Sequence, residues 1–208
     1  MPALRLVLAT RNPAKVTELR RILGAAGTVI ELVGMEAFPD LPDVAETGAT
    51  FADNALLKAR AVASATGLAA VADDSGLAVD ALAGMPGVLS ARWSGRHGDD
   101  EANLRLVLAQ LADVPDERLG AAFVCAAAAV VPGAGERVVE GVVRGRLVRE
   151  PRGSGGFGYD PIFAPDGESR TTAEMSPAEK DAISHRGKAF RALVPVVTDL
   201  LARAAAHR

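Results

Sequence analysis

The sequence has one cysteine, no zinc-ligand spacing and no long apolar run, and each absence excludes a class of protein. The single Cys125 excludes an intrachain disulfide framework. The longest apolar run ends at Val130-Val131-Pro132 and is too short to cross a bilayer. The first five residues lack the charged-then-apolar design of a signal peptide. We therefore expect a cytoplasmic protein without a membrane partner, in which Cys125 is a small buried residue.

The charge balance is unfavourable for a nucleic-acid coat or a binder of anionic membranes. The formal net charge is −3, and the basic residues are not gathered on one long face. A hydrophobic share of 49% is enough for a large interior. A length of 208 residues suits one α/β domain, or two small lobes that share a core. We therefore expect a single domain over residues 1–208 and no stable nucleic-acid partner.

The first part of the chain alternates between strand and helix patterns. Leu4–Ala9 is typical of a short strand, and Asn12 then stands at a helix N-cap with Pro13 at the first helical position. Val29–Val33 predicts a second strand. The order strand, helix, strand favours a parallel βαβ unit, which places the chain in the α/β class.

Further along, a capped helix leads into a strand that is predicted to end in acids. Thr50 can cap this helix, and Gly67 is a plausible stop. Leu68–Ala72 then predicts a strand that ends in an acidic turn, Asp73-Asp74-Ser75-Gly76. The later elements are a helix opened by Asp99, strands at Ala121–Val131 and Arg137–Val148, a short helical turn at Ser176-Pro177 and a closing helix over Ala189–Ala206.

The segment Thr10-Arg11-Asn12-Pro13-Ala14-Lys15 is the first candidate for chemistry. It runs from a strand into a helix start, where free N–H groups and the helix dipole favour anions. Thr10 and Asn12 add side-chain donors, and Lys15 adds a charge. The alternative is simple helix capping beside a solvated lysine.

The acids form a second candidate. Adjacent carboxylates after an apolar strand are costly unless something neutralises them, and hard oxygen ligands suit Mg²⁺. One of Asp73 and Asp74 could hold the metal while the other draws a proton from water; the alternative is an Asx-type turn. Glu46 lies in a polar loop and is ordinarily solvated. Asn54 and Lys58 share one helix face, which could meet either a ligand or solvent.

The third candidate joins a glycine-rich loop with a basic cluster. Gly153, Gly155 and Gly158 match G-x-G-x-x-G, but Pro161 follows where a dinucleotide-binding fold needs a helix. A flexible loop remains, in which Phe157 and Tyr159 could stack on a base. The cluster comprises Lys180, His185, Arg186 and Lys188 and could bind phosphate or purine, or be a solvated basic turn.

Together these segments resemble the inosine triphosphate pyrophosphatase family, also described as dITP/XTP pyrophosphatases. The matching stretches are Leu8 to Lys15, Glu46-Thr47-Gly48 through Ala55, Ala72-Asp73-Asp74-Ser75-Gly76-Leu77, Gly155-Gly156-Phe157-Gly158-Tyr159-Asp160-Pro161 and Ser184-His185-Arg186-Gly187. They run from near the start of the chain to near its end. The resemblance implies an elongated α/β fold, a mixed central sheet flanked by helices, with two lobes, a central substrate cleft and a homodimer. It also implies Mg²⁺-dependent hydrolysis of ITP, dITP or XTP to monophosphate and pyrophosphate, which clears these nucleotides from the pool used for DNA and RNA.

The resemblance also implies roles for individual residues. Asp74 would activate water and contact Mg²⁺, with Glu46 and Asp73 as further metal ligands. Arg11 stands where the family often has glycine. The implied substrate contacts are Thr10, Arg11, Asn12, Pro13, Ala14 and Lys15 for the triphosphate, Ser75, and for the base Phe157, Gly158, Tyr159, Asp160, Lys180, His185 and Arg186. Hydrogen-bond donors among the base contacts would recognise the oxygen at purine C6 and reject adenine, by as much as ~10⁴-fold.

Overall fold

The structure is a computed structural model, and it describes residues 4–25 and 30–206. The predicted elements are present, with shifted ends. The strands are β1 Leu4–Leu8, β2 Ile30–Gly34, β3 Ala70–Val79, β4 Gly120–Val131, β5 Gly135–Leu147 and β6 Phe163–Pro165. The helices are α1 Pro13–Ala25, α2 Phe51–Thr66, α3 Asp100–Gln110, α4 Pro177–Ile183 and α5 His185–Ala206. The predicted start of the second strand, Val29, lies outside the described residues.

The six strands form one mixed sheet in the order β2-β1-β3-β4-β5-β6. β1 pairs in parallel with both β2 and β3, which confirms the predicted βαβ unit. β5 and β6 are antiparallel, so the sheet is mixed and the predicted α/β class is confirmed. Across the described ranges, every helix is too short or too polar to cross a membrane.

The chain divides into two compact units. Unit 1 comprises residues 1–74, 125–141 and 186–208, and unit 2 comprises residues 75–124 and 142–185. The prediction of two lobes agrees with this division, whereas the predicted substrate cleft stays a prediction. Because β3, β4 and β5 each pass from one unit to the other, the units share strands but have separate cores.

In unit 1 the sheet is buried on both faces, and strand parity decides which helix each residue meets. Successive strand residues point to opposite faces. Val71 and Cys125 belong to a core formed with α1 and α5, whereas Ala70 and Ala72 belong to a core formed with α2. The same parity, carried along β3, sends Asp73 towards α1 and α5 and Asp74 towards α2.

The prediction that this strand ends at Ala72 in an acidic turn was wrong. β3 continues to Val79, so Asp73 and Asp74 are strand residues, and neither forms an Asx-type turn. Leu77 and Val79 explain the continuation, because both are fully buried in the core of unit 2. The acids stay inside the strand because basic side chains neutralise them, as described below.

Unit 2 has one apolar core, built on β3, β4, β5 and α3. Leu104 and Val107 of α3 and its C-cap residue Leu111 are buried in this core, and Leu108 packs against it. The glycine-rich segment 151–159 is irregular and leads only into a single 3₁₀ turn, Asp160–Ile162, so the exclusion of a dinucleotide-binding helix is confirmed. α4 begins after Ser176, whose side chain accepts from Glu179 N–H in a capping box.

Candidate active site

Asp74 meets two side chains of α2 that are one helical turn apart. The Asn54 amide donates to Asp74 Oδ2 over 3.1 Å, and Lys58 Nζ donates to Asp74 Oδ1 over 3.1 Å. Lys58 Nζ also donates to Glu46 Oε1 over 2.7 Å. Gly48 N–H donates to the side-chain oxygen Asn54 Oδ1 over 2.8 Å, which ties the loop that carries Glu46 to the same helix. The shared face of Asn54 and Lys58 therefore meets the acids, and the alternative of a solvent face is wrong.

Burial and charge act on this group of residues in opposite directions. Burial raises the pKa of Asp74, the negative charge of Glu46 raises it further, and Lys58 and Asn54 only partly offset the rise. Burial alone would lower the pKa of Lys58, but Asp74, Asp73 and Glu46 outweigh it and raise that pKa. Two carboxylates thus converge on one ammonium group, and together they carry one more negative charge than it neutralises.

Asp73 belongs to a different set of charges on the opposite face of β3. Lys15 Nζ lies 2.9 Å from Asp73 Oδ2, and Arg186 Nε donates to the same oxygen over 3.2 Å. The Arg186 guanidinium also donates to Glu18 on α1. Burial would raise the pKa of Asp73, but Lys15 and Arg186 hold it far below its usual range. Two acids and two bases therefore neutralise one another here; we call Lys15, Glu18, Asp73 and Arg186 the buried charge network.

The start of α1 is capped by its own side chains. Asn12 Oδ1 accepts from the N–H groups of Ala14 and Lys15 over 3.0 and 3.2 Å, and Thr10 Oγ1 accepts from Asn12 N–H over 3.2 Å. Arg11 contacts the loop that precedes Glu46, where it donates to Leu41 O and pairs with Asp43 over 2.9 Å. The predicted capping is confirmed, whereas the binding of an anion at this helix start stays a prediction. The lysine is not simply solvated, because Lys15 pairs with Asp73.

Glu46, Asp73 and Asp74 were predicted to hold a metal ion, and the structure separates them into two groups. Within residues 4–25 and 30–206, no cluster of three or more histidine, cysteine, aspartate or glutamate side chains is gathered as a metal site. Glu46 and Asp74 do converge, because both accept from the same Lys58 ammonium. Asp73 faces the buried charge network instead. The structure therefore brings together two of the three predicted metal ligands.

In unit 2, residues 156–160 form a tight turn that we call the aromatic loop. Asp160 Oδ2 accepts from Phe157 N–H over 2.8 Å and from Lys180 Nζ over 2.6 Å. Lys180 Nζ lies 5.2 Å from the centroid of the half-buried Phe157 ring, within cation–π range. Tyr159 is buried and donates to Ser90 O over 2.8 Å. The predicted residues of this loop and Lys180 are thus held together by direct contacts.

A small cavity of unit 2 adjoins these residues. His185 stacks on Phe123 with ring centroids 4.8 Å apart and an interplanar angle of 16°. The lining residues are Phe123, Val143, Asp160, Phe163, Thr172, Lys180, Ile183, Ser184 and His185.

Ser75, on β3, is half-buried. Because Lys180, His185 and Arg186 are buried, the interpretation of the basic cluster as a solvated turn is wrong for these three residues, whereas Lys188 is exposed.

Three residues of these networks were missed or undervalued by sequence reasoning. Asn54 and Lys58 were recognised as sharing a helix face, but nothing in the local pattern showed what that face meets. Glu18 was not considered at all. A signal did exist for Glu18, because it is adjacent to Leu19 and four residues before Ile22, on a stripe that is otherwise apolar. A buried acid at such a position needs a basic partner.

Comparison with known proteins places these residues in a family. The Ham1 family model matches residues 6–196. A dITP/XTP pyrophosphatase of Streptomyces coelicolor is 66% identical over 95% of this chain and 98% of its own length. One of Mycobacterium tuberculosis is 61% identical over 94% of this chain and 96% of its own length. Solved structures agree, and the first is a nucleoside triphosphatase, a dITP/XTP pyrophosphatase from Mycobacterium abscessus, with 60% identity, a TM-score of 0.76 and coverage of 92% of this chain and 100% of that one. The second is a HAM1 protein from Coxiella burnetii, with 42% identity, a TM-score of 0.83 and coverage of 94% and 99%.

Proposed function

Because the chain belongs to the Ham1 family, we propose that it is a nucleoside triphosphate pyrophosphatase. Its substrates are the non-standard purine nucleotides ITP, dITP and XTP, and its products are the monophosphate and pyrophosphate. The activity removes these nucleotides before they enter DNA or RNA. The observation that carries the proposal is the convergence of the Glu46 and Asp74 carboxylates on one Lys58 ammonium, which gathers hard oxygen donors where a divalent cation can bind.

The donor set at Glu46 and Asp74 fits Mg²⁺. Both are hard oxygen donors, and their excess negative charge favours a divalent cation over the single ammonium that now bridges them. Two protein carboxylates are enough, because Mg²⁺ keeps water and substrate phosphate as its other ligands. When bound, the ion would neutralise phosphate charge and lower the pKa of a water molecule. Asp73 is already neutralised by Lys15 and Arg186, so we assign the metal to Glu46 and Asp74.

Asp74 is the general base of the proposed reaction. Its carboxylate takes a proton from water, the water oxygen bonds to the α-phosphorus, and the bond from that phosphorus to the α–β bridging oxygen breaks. Pyrophosphate leaves with the bonding electron pair. The Asn54 amide and the Lys58 ammonium fix the direction of its carboxylate.

The triphosphate is assigned to the start of α1. Residues 11–14 are exposed, and the positive end of the helix dipole favours an anion there. The cap already uses the N–H groups of Asn12, Ala14 and Lys15, so we give the main role to the Lys15 ammonium. Asp73 holds that ammonium at 2.9 Å, which orders it before substrate arrives. Arg11 braces the loop that leads to Glu46, through Leu41 and Asp43.

The base is assigned to the surface of the aromatic loop and to the donors beside it. Phe157 offers an aromatic surface for the purine, and Lys180 and His185 supply donors for an oxygen at C6. An amino group at that position would face donors and leave them unpaired, so adenine is rejected. Arg186 donates to Asp73 and Glu18, and we therefore assign it to the buried charge network before any contact with the base.

We further propose that the protein works as a homodimer in the cytoplasm. Light scattering on the purified protein tests the assembly, and a molecular mass of one chain would contradict the dimer.

Cys125 is buried, and burial raises the pKa of its thiol, so it is suited to neither a disulfide nor nucleophilic chemistry.

The activity is tested by incubating the protein with Mg²⁺ and, separately, ITP, XTP, dITP, GTP and ATP. We expect monophosphate and pyrophosphate from the first three, resolved by chromatography, and little product from the others. Chelation of the metal should stop turnover. Release of diphosphate and single phosphate would instead show a phosphohydrolase, and tight binding without product would show a nucleotide sensor.

The Asp74→Asn variant tests the general base. The amide keeps the size of the side chain but cannot take the proton, so we expect a loss of about 10²–10⁴-fold in kcat with the fold intact. Asp80→Asn is the matched control, because Asp80 follows the same strand and is ion-paired with the exposed Arg144. A wild-type rate in Asp74→Asn, or an equal loss in both variants, would contradict the assignment.

A further inference from the structure

The aromatic loop is held from within by a close backbone turn. Gly156 and Gly158 have φ values of 73° and 63°, in the left-handed region that favours glycine. A Cβ on Gly156 would lie 2.0 Å from Asp160 Oδ2, the same oxygen that accepts from Phe157 N–H. The turn therefore closes around the Asp160 carboxylate. These internal contacts shape the loop but do not fix its direction relative to the rest of unit 2.

Two contacts attach the aromatic loop to the segment before α3 and to α3 itself. The buried Tyr159 hydroxyl donates to Ser90 O over 2.8 Å. Gly158 N–H donates to Asp100 Oδ2 over 2.9 Å, a contact between residues 58 positions apart in sequence. Gly158 directly follows Phe157, so this bond sets the peptide plane next to the aromatic ring. The charge of the acceptor makes the bond stronger than a neutral one.

Three successive acids, Asp99, Asp100 and Glu101, stand at the start of α3, and each has a different partner. Asp99 is the N-cap and accepts from Ala102 N–H over 3.2 Å. Glu101 pairs with Arg105 on the helix surface. Asp99 therefore supplies the helix cap. Glu101 and Asp100 both add negative charge near the positive end of the helix dipole, so this stabilisation is not specific to Asp100. Of the three, Asp100 is the one bonded to the aromatic loop.

We propose that Asp100 is a positioning residue for base recognition. Its carboxylate holds Gly158 N–H and so keeps the Phe157 ring in place before the nucleotide binds. The inference rests on the proposed function, because it takes the purine to be the ligand of Phe157. An ordered loop lowers the entropic cost of binding, and its loss weakens substrate binding without touching the proton transfer at Asp74. The effect therefore falls on KM and spares kcat.

Asp100→Ala, Asp100→Asn and Glu101→Ala test this role in the full-length protein. With ITP as substrate, we expect Asp100→Ala to raise KM about three- to tenfold, the range of one hydrogen bond, with kcat within about twofold. Asp100→Asn keeps an acceptor oxygen and should restore most of the wild-type KM. Glu101→Ala removes a charge from the same helical turn and should leave KM unchanged. Hydrogen exchange of a peptide covering residues 153–160 should accelerate in Asp100→Ala alone.

The outcomes separate this inference from the proposed function. Equal KM values and equal exchange in Asp100→Ala and wild type would overturn the anchoring role. Parallel losses of kcat and Tm in Asp100→Ala and Glu101→Ala would also overturn it, because they indicate a weakened α3. If the wild-type protein does not hydrolyse ITP, the proposed function fails, while the exchange measurement on the free protein still decides whether Asp100 orders the loop.

Discussion

Replacing Arg186 with methionine should destabilise the protein strongly. The guanidinium lies between Asp73 and Glu18, and the side chains of all three are at most 4% exposed. The buried charge network holds two acids and two bases, so Arg186→Met leaves one acid without compensation. Loss of one partner from a buried pair costs about 3–5 kcal/mol. For a chain of this length that corresponds to a fall in Tm of roughly 6–20 °C.

A second substitution shows whether charge balance is the cause. Glu18→Gln alone should destabilise, because it removes a partner of Arg186. In the Arg186→Met background the same change removes the uncompensated acid, so we expect it to restore about 1–3 kcal/mol. Urea titrations of wild type, both single variants and the double variant give the coupling free energy.

The alternative is that Arg186 serves the substrate alone. In that case Arg186→Met would change the free energy of unfolding by less than about 1 kcal/mol and would raise KM. An equal effect of Glu18→Gln in both backgrounds would likewise refute the charge-balance reasoning.

Three further predictions concern stability and reactivity. Thr50→Ala should lower the free energy of unfolding by about 1 kcal/mol in urea titrations, since Thr50 caps α2, and an unchanged midpoint would contradict this. Cys125 should react with a thiol reagent only after unfolding in guanidinium, because burial raises its pKa; rapid labelling of the native protein would contradict the buried position. The backbone N–H of Ser176 lowers the pKa of Glu179 to about 2, so its carboxylate stabilises the fold above the unfolded pKa near 4.5 and stops doing so as the pH falls towards 2. The Tm deficit of Glu179→Gln should therefore shrink over that pH range, and a constant deficit in melts at different pH would contradict it.

Local physics was sufficient for most helix boundaries. Asn12 and Thr50 cap helices because their short polar side chains accept from N–H groups within three residues, a contact that depends on no distant part of the chain. Gly67 ends α2 with a φ of 69°, also a local property. The family was likewise determined by sequence, because several ordered motifs together are specific even where each one is ambiguous.

The fate of the acids depended on tertiary structure. The run Leu68–Ala72 followed by two aspartates predicts a strand end, because a buried carboxylate is costly without a partner. The partners that lower this cost are distant in sequence, so the local pattern does not show them. Lys58 is 16 residues away from Asp74, and Arg186 is 113 residues away from Asp73. These basic side chains offset the cost of burying the two carboxylates, so β3 continues without a break. Strand parity then sends Asp73 and Asp74 to opposite faces. The sequence by itself predicted which residues bear the chemistry, whereas tertiary structure decided which of them lie together, since pairing of charges depends on distance in space.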